Sequence, residues 1–135
     1  MRTAVDSSVL LDIFTADTRF GAGSRAALRS ARLTGGLVAC DVVWAEVRAF
    51  FSGEKDFRRA MAQLEVEFDP LTAAAADRAG FLWQLHRRGR PGASGRLIAD
   101  FLIGAHALEQ AEILLTRDRG FYREYFSGLR VLSGS

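Results

Sequence analysis

Thr3-Ala4-Val5-Asp6-Ser7-Ser8-Val9-Leu10-Leu11-Asp12-Ile13-Phe14 places a short β-like run directly against a helical one. Residues 3–5 read as a strand, residues 8–14 open a helix behind it, and Asp6 or Ser7 is available to cap that helix. A strand that feeds straight into a helix is the repeating unit of an open α/β sheet. If the chain winds both ways from this unit, the first strand lies at the centre of the sheet and Asp6 projects from its carboxyl edge, where such folds gather ligands.

The same alternation continues outward. Gly21 to Gly23 punctuate, residues 24–32 form a short amphipathic helix, and Gly35-Gly36 introduce a strand over residues 37–40. Asp41 is a natural N-cap for a helix from residue 42 to about 51, and residues 54–64 continue as helix. Residues 66–68 form a short strand closed by Asp69-Pro70, and Thr72 caps a long helix reaching Arg88. The clearest loop is Gly89-Arg90-Pro91-Gly92-Ala93-Ser94-Gly95. Residues 96–110 return to helix, 113–115 to strand, 121–126 to a short helix and 129–132 to a last strand. Strands separated by helices require right-handed crossovers, so the expected fold is α/β, with a mostly parallel sheet of four to five strands covered on both faces. That loop is too short to link domains, and a chain of 135 residues is expected to form one domain over residues 1–135.

Four acids sit at or just after the ends of apolar stretches: Asp6, Glu46, Asp100 and Asp118. Carboxylates gathered at one sheet edge raise one another's pKa, and a divalent cation offsets that repulsion. Oxygen-only donors suit magnesium or manganese, which polarise a phosphoryl oxygen and lower the pKa of a bound water. Each acid also has a plainer reading. Asp6 and Asp118 could simply cap the helices that follow them. Glu46 lies among Val43, Trp44, Val47 and Phe50, and Asp100 among Leu97, Ile98, Phe101, Leu102 and Ile103, where a carboxylate needs a partner or a metal.

Composition narrows the classes. Hydrophobic residues make up 49% of the chain and no apolar run approaches a membrane span, so no membrane partner is expected. The first charge comes too early for a secretory signal, and the expected location is the cytoplasm. Cys40 is the single cysteine, which excludes an intramolecular disulfide, and with His86 and His106 it makes no usual zinc spacing. Lys55 is the one lysine among 18 basic residues. The arginine-rich surface is compatible with a nucleic-acid partner, and equally with a bias toward arginine on an ordinary solvated surface.

Four stretches in order resemble the PIN-domain ribonucleases, and among them the VapC toxins of type II toxin–antitoxin pairs. They are Asp6-Ser7-Ser8-Val9-Leu10-Leu11-Asp12, Ala45-Glu46-Val47, Ile98-Ala99-Asp100-Phe101-Leu102-Ile103-Gly104-Ala105-His106-Ala107 and Leu115-Thr116-Arg117-Asp118-Arg119-Gly120-Phe121. The resemblance runs from Val5 to about Leu132. It implies a three-layer α/β/α sandwich, a homodimer, and a magnesium- or manganese-dependent endoribonuclease acting on structured RNA, often transfer RNA. It also implies a small VapB-type antitoxin as partner. The family's acidic quartet falls on Asp6, Glu46, Asp100 and Asp118, and its supporting hydroxyls on Thr116 and on Ser7 or Ser8. Asp12 matches a frequently acidic position, treated as secondary. Asp41 stands where many relatives carry a small hydroxyl residue; either can cap the helix.

Arg90, Arg96 and Arg117 are candidate RNA contacts, the first two if their loop borders the cleft. A surface connector with incidental charge explains that loop as well. Phe121, Tyr122, Tyr125 and Phe126 could stack on bases or pack as a helix face, and core packing is expected for at least two. Trp44, Trp83, Phe50, Phe51 and Phe81 read as core or dimer contacts, and His106 as structural. A phosphoaspartate receiver lacks its late lysine, a dehalogenase-like phosphatase its second aspartate at position 8, and a serine hydrolase its elbow motif. The remaining alternative is a PIN-like binding module with little or no turnover.

Overall fold

The computed structural model describes residues 1–89 and 98–134. Five strands, β1 (Thr3–Val5), β2 (Leu37–Ala39), β3 (Val66–Phe68), β4 (Ile113–Leu115) and β5 (Arg130–Leu132), form one sheet in the order β3-β2-β1-β4-β5. Every neighbouring pair is parallel. Helices α1 (Ser7–Phe14), α2 (Gly21–Thr34), α3 (Asp41–Phe50), α4 (Glu54–Gln63), α5 (Ala73–Gly89), α6 (Ile98–Gln110) and α7 (Arg119–Tyr125) make the crossovers. The result is the expected three-layer α/β/α sandwich.

The strand order explains where the site lies. From β1 the chain steps outward through β2 and β3, then returns to the other side of β1 with β4 and β5. β1 and β4 therefore flank the switch point, where the loops leaving their carboxyl ends diverge and leave a crevice. Thr3 pairs with Ile113 and Val5 with Leu115, and Asp6 N–H still donates to Leu115 O at 2.9 Å. This register brings Asp6 and the residue 116–118 turn to the same edge. β1, β2 and β4 are buried at every position, as strands covered on both faces must be.

Several boundaries differ from expectation. Gly21 to Gly23 do not break the chain; they form the first turn of α2, entered through an Asp17 turn whose Oδ1 accepts the N–H groups of Arg19 and Phe20. The small residues serve close approach: a Cβ on Gly23 would stand 2.5 Å from Gly134 O. Asp41 is the first residue inside α3 rather than its cap, and Cys40, past the end of β2, holds the cap position. Asp41 instead accepts the Leu71 N–H at 3.4 Å. α7 begins and ends earlier than expected, at Arg119 and Tyr125. Thr72 does cap α5, its Oγ1 accepting the Ala75 N–H at 3.2 Å. The glycine-rich stretch with Arg90 and Arg96 lies outside the described residues.

α6 is buried over most of its length and packs along α5. Phe101 is fully enclosed by His86, Phe121, Tyr125 and Phe126. Phe121, Tyr122 and Phe126 are thus core residues and not base-stacking platforms. Trp44 and Trp83 pack partly buried against the core, whereas Phe50 and Phe81 are more than half exposed. His106 is buried, its Nε2 2.8 Å from Asp69 Oδ2, and ties α6 to the residue after β3, the structural role expected of it. A Cβ on Gly104 would meet the Phe126 ring at 2.3 Å, and that ring is itself buried. Gly104→Ala is expected to cost about 1–3 kcal/mol by overpacking, measured as a lower urea midpoint at unchanged slope. A midpoint equal to the parent's would show that the ring moves aside freely.

Candidate functional site

Asp6, Glu46, Asp100 and Asp118 line one cleft of about 450 Å³ with Ser7 and Ser8. Each acid arrives from a different element: the β1–α1 junction, the second turn of α3, the first turn of α6, and the turn after β4. The four predicted acids therefore share one opening, although 112 positions separate the first from the last.

Asp6 is the most enclosed. It occupies the N-cap position of α1, yet its side chain makes no capping bond. The hydroxyls of Thr116 (2.6 Å) and Ser8 (3.2 Å) donate to its Oδ2, and that of Ser7 (3.4 Å) to its Oδ1. Thr116 is fully buried and also accepts the Asp118 N–H at 3.0 Å, so one hydroxyl fixes the acid after β1 and the turn after β4. Asp118 likewise stands at the N-cap of α7 without a side-chain capping bond. The plainer capping role is thus unfilled at both aspartates.

Burial pushes the Asp6 carboxyl above its ordinary value, hydrogen bonds from the Thr116 hydroxyl, the Ser7 backbone N–H and the Ser8 hydroxyl pull it back in part, and the Asp100 charge pushes it up again. Glu46, at the exposed rim, is also raised, first by lost hydration and then by the charges of Asp6 and Asp100, with the Ser7 hydroxyl easing it. These acids feel one another's charge across the cleft. Cys40 is buried beside none of this chemistry, and its thiol is pushed up to about 11 by desolvation, which leaves it an inert core residue.

Arg117, a candidate RNA contact in the sequence, lines the same cleft. Its Nε donates to Asp12 Oδ2 at 2.8 Å, the Ser24 hydroxyl donates to the same oxygen at 2.9 Å, and its Cζ sits 4.2 Å from the Phe20 ring centre. Asp12 is buried. Asp12, a secondary position in the sequence, stands amid Val9, Leu10, Leu11, Ile13 and Phe14, where a carboxylate needs a partner, and Arg117 and Ser24 supply it.

Among the described residues, no three His, Cys, Asp or Glu side chains are placed to hold a metal ion. The donor chemistry nevertheless fits magnesium or manganese, being oxygen only, with the Asp6 and Glu46 carboxyls raised first by burial and then by neighbouring acids in one solvent-open cleft. Magnesium keeps several waters and is often held by one or two carboxylates, so three touching side chains are not required. A separate groove of about 190 Å³ lined by Arg25, Arg29 and Arg32 holds no acid and no such convergence. No helix among the described residues is long and apolar enough to cross a membrane.

The fold is similar to solved structures of toxin–antitoxin proteins. A chain of VapBC2 from Rickettsia felis, solved with a DNA fragment from its promoter, is 17% identical over 98% of both chains, with a TM-score of 0.72. One of VapBC-1 from nontypeable Haemophilus influenzae is 19% identical over 99% of this chain and 98% of that one, at 0.68. VapC20 of Mycobacterium tuberculosis, a sarcin-ricin loop cleaving toxin, is 16% identical over 95% and 98%, at 0.66. No curated protein matches the sequence. The PIN domain model matches residues 3–126, a span that takes in β1 to β4 and all four cleft acids, and the chain belongs to the PIN-domain family.

Proposed function

We propose that the protein is a magnesium- or manganese-dependent endoribonuclease of the VapC type, the toxin of a toxin–antitoxin pair, hydrolysing phosphodiester bonds of structured RNA, with transfer RNA the first class to test. The observation that carries this reading is the meeting of Asp6, Glu46, Asp100 and Asp118 in one cleft at the switch point of the sheet. Similarity to VapBC structures and to a toxin that cleaves the sarcin-ricin loop supports it.

Asp6, Asp100, Asp118 and Glu46 would hold the cation, which when bound polarises the phosphoryl group and activates water. Thr116, Ser7 and Ser8 orient the Asp6 oxygens and limit their freedom before substrate arrives. Glu46, with its carboxyl raised at the rim, is suited to exchange a proton with water at the cleft mouth. Arg117 supplies a fixed positive charge for a substrate phosphate, and the RNA contacts proposed for Arg90 and Arg96 extend this set. A VapB-type antitoxin and a second copy of the chain are the protein partners proposed with it; Phe50, Phe81 and Leu85 are exposed apolar surface for such contacts.

The second reading, a PIN-like binding module with little turnover, draws on the absence of a ready-made metal cage among the described residues. Cleavage of total RNA by the purified protein with magnesium or manganese separates the two. Discrete products that vanish with Asp6→Ala, with Asp100→Ala and with EDTA are the expected result. Folded protein that leaves RNA intact in both metals would favour the binding module, and cleavage that survives all three controls would reject this site.

A further inference from the structure

Beside the acidic cleft, and sharing Arg117 with it, lies a hollow of about 60 Å³ lined by Arg19, Phe20, Gly23, Ser24 and Gly134. Two of its six lining residues are arginines and none is acidic, so its lining suits a small anionic group. Two guanidinium groups from distant parts of the chain meet over one ring there: Cζ of Arg117 lies 4.2 Å and Cζ of Arg19 5.0 Å from the Phe20 centroid. The ring is therefore covered by cations and is no stacking platform. Both guanidinium groups are within cation–π reach of this ring, and both arginines line the same hollow.

Both arginines are held from behind. The Arg117 Nε is anchored on buried Asp12, itself braced by Ser24. Arg19 rides on the turn whose backbone N–H groups, from Phe20 first and Arg19 second, bond to Asp17 and hold that carboxyl below its usual range. Asp17 feels the charges of Arg117 and Arg19, while its Oδ1 is engaged by that backbone. Among the described residues Arg19 makes no salt bridge.

We infer that Arg19 and Arg117, set by Phe20, form a phosphate subsite that binds a backbone phosphodiester of RNA next to the bond lying in the acidic cleft. The inference rests on the nuclease reading, which supplies the RNA. It answers an electrostatic difficulty: four carboxylates repel a polyanion, and a fixed pair of guanidiniums at the rim draws the backbone in and sets its register without reading sequence. Arg117 bridges both places, so the bound phosphate and the scissile one are neighbours on the strand.

The test is binding of fluorescein-labelled bulk transfer RNA, read by anisotropy across a salt series with calcium in place of magnesium. Parent protein is compared with Arg19→Ala, Arg19→Lys and, as a control for net charge, Arg59→Ala on the exposed face of α4. Arg19→Ala is expected to weaken binding by about three- to tenfold and to reduce the slope of log affinity against log salt by about 0.7, one phosphate contact. Arg19→Lys should keep that slope, and Arg59→Ala should match the parent. Parent protein that binds while Arg19→Ala shows an unchanged slope overturns the subsite and leaves the nuclease reading standing. Parent protein that neither binds nor cleaves RNA overturns both.

Discussion

Asp6→Asn is expected to make the protein more stable and catalytically silent at once. Burial raises the Asp6 carboxyl in the folded chain above its ordinary value of 3.8, so the fold prefers the neutral form. The sign follows by linkage: the stability contributed by protonated Asp6 is fully present below the unfolded pKa and is lost as pH rises through the raised folded value. At neutral pH the ionised carboxylate is therefore a cost, and the asparagine, nearly equal in shape, removes it. A gain of about 1–2 kcal/mol is expected at pH 7 in EDTA, shrinking toward zero as pH falls to about 4. Magnesium or manganese should narrow the gap from the other side, because ligand at a hundred times Kd stabilises the parent by about 2.7 kcal/mol and the variant by less.

RNA cleavage by the same variant should drop about a thousandfold or more, the equivalent of about 4 kcal/mol of transition-state stabilisation. The checks are thermal melts across pH with and without metal, beside cleavage rates on total RNA. A variant less stable than the parent at pH 7 in EDTA would mean that the three hydroxyl bonds outweigh burial, and activity near the parent's would remove Asp6 from the site.

Phe101→Ala is expected to cost the most stability of any single replacement considered. The side chain is fully buried, and its ring centroid lies 5.2 Å from Phe121, 5.5 Å from His86 and 5.6 Å from Tyr125. Truncation removes its transfer energy and leaves a cavity that aromatic neighbours on α5 and α7 are too rigid to fill, for about 3–5 kcal/mol. The melting temperature should fall by about 10–20 °C for a chain of this size. Since Asp100 precedes Phe101 on α6, cleavage should weaken too, through a displaced acid. Urea unfolding measures the loss; a cost below about 1 kcal/mol would show that this cluster relaxes as a fluid.

Strand-then-helix alternation placed all five strands, because a buried parallel strand is a short apolar run and an amphipathic helix repeats at its own period. It misplaced ends, as at Gly21 and Asp41, because glycine and aspartate carry the same local signal whether they stop an element or begin one. Asp6, Glu46, Asp100 and Asp118 were each visible as acids in apolar surroundings or at strand ends. Asp12 carries the same signal, but its partners Arg117 and Ser24 are visible only in the folded chain.

The local pattern of the chain by itself determined the α/β class, the crossover helices and the candidate acids, since these depend on residue type and near-neighbour spacing. Tertiary structure alone decided that the acids share one cleft, that Thr116 joins Asp6 to the Asp118 turn, and that Arg117 meets Asp12 and Phe20. The Thr116–Asp6, Arg117–Asp12 and Arg117–Phe20 contacts join residues about 100 positions apart, and they depend on β4 returning to pair with β1. Distance along the chain carries no record of that pairing, which is set by how the whole apolar surface is buried.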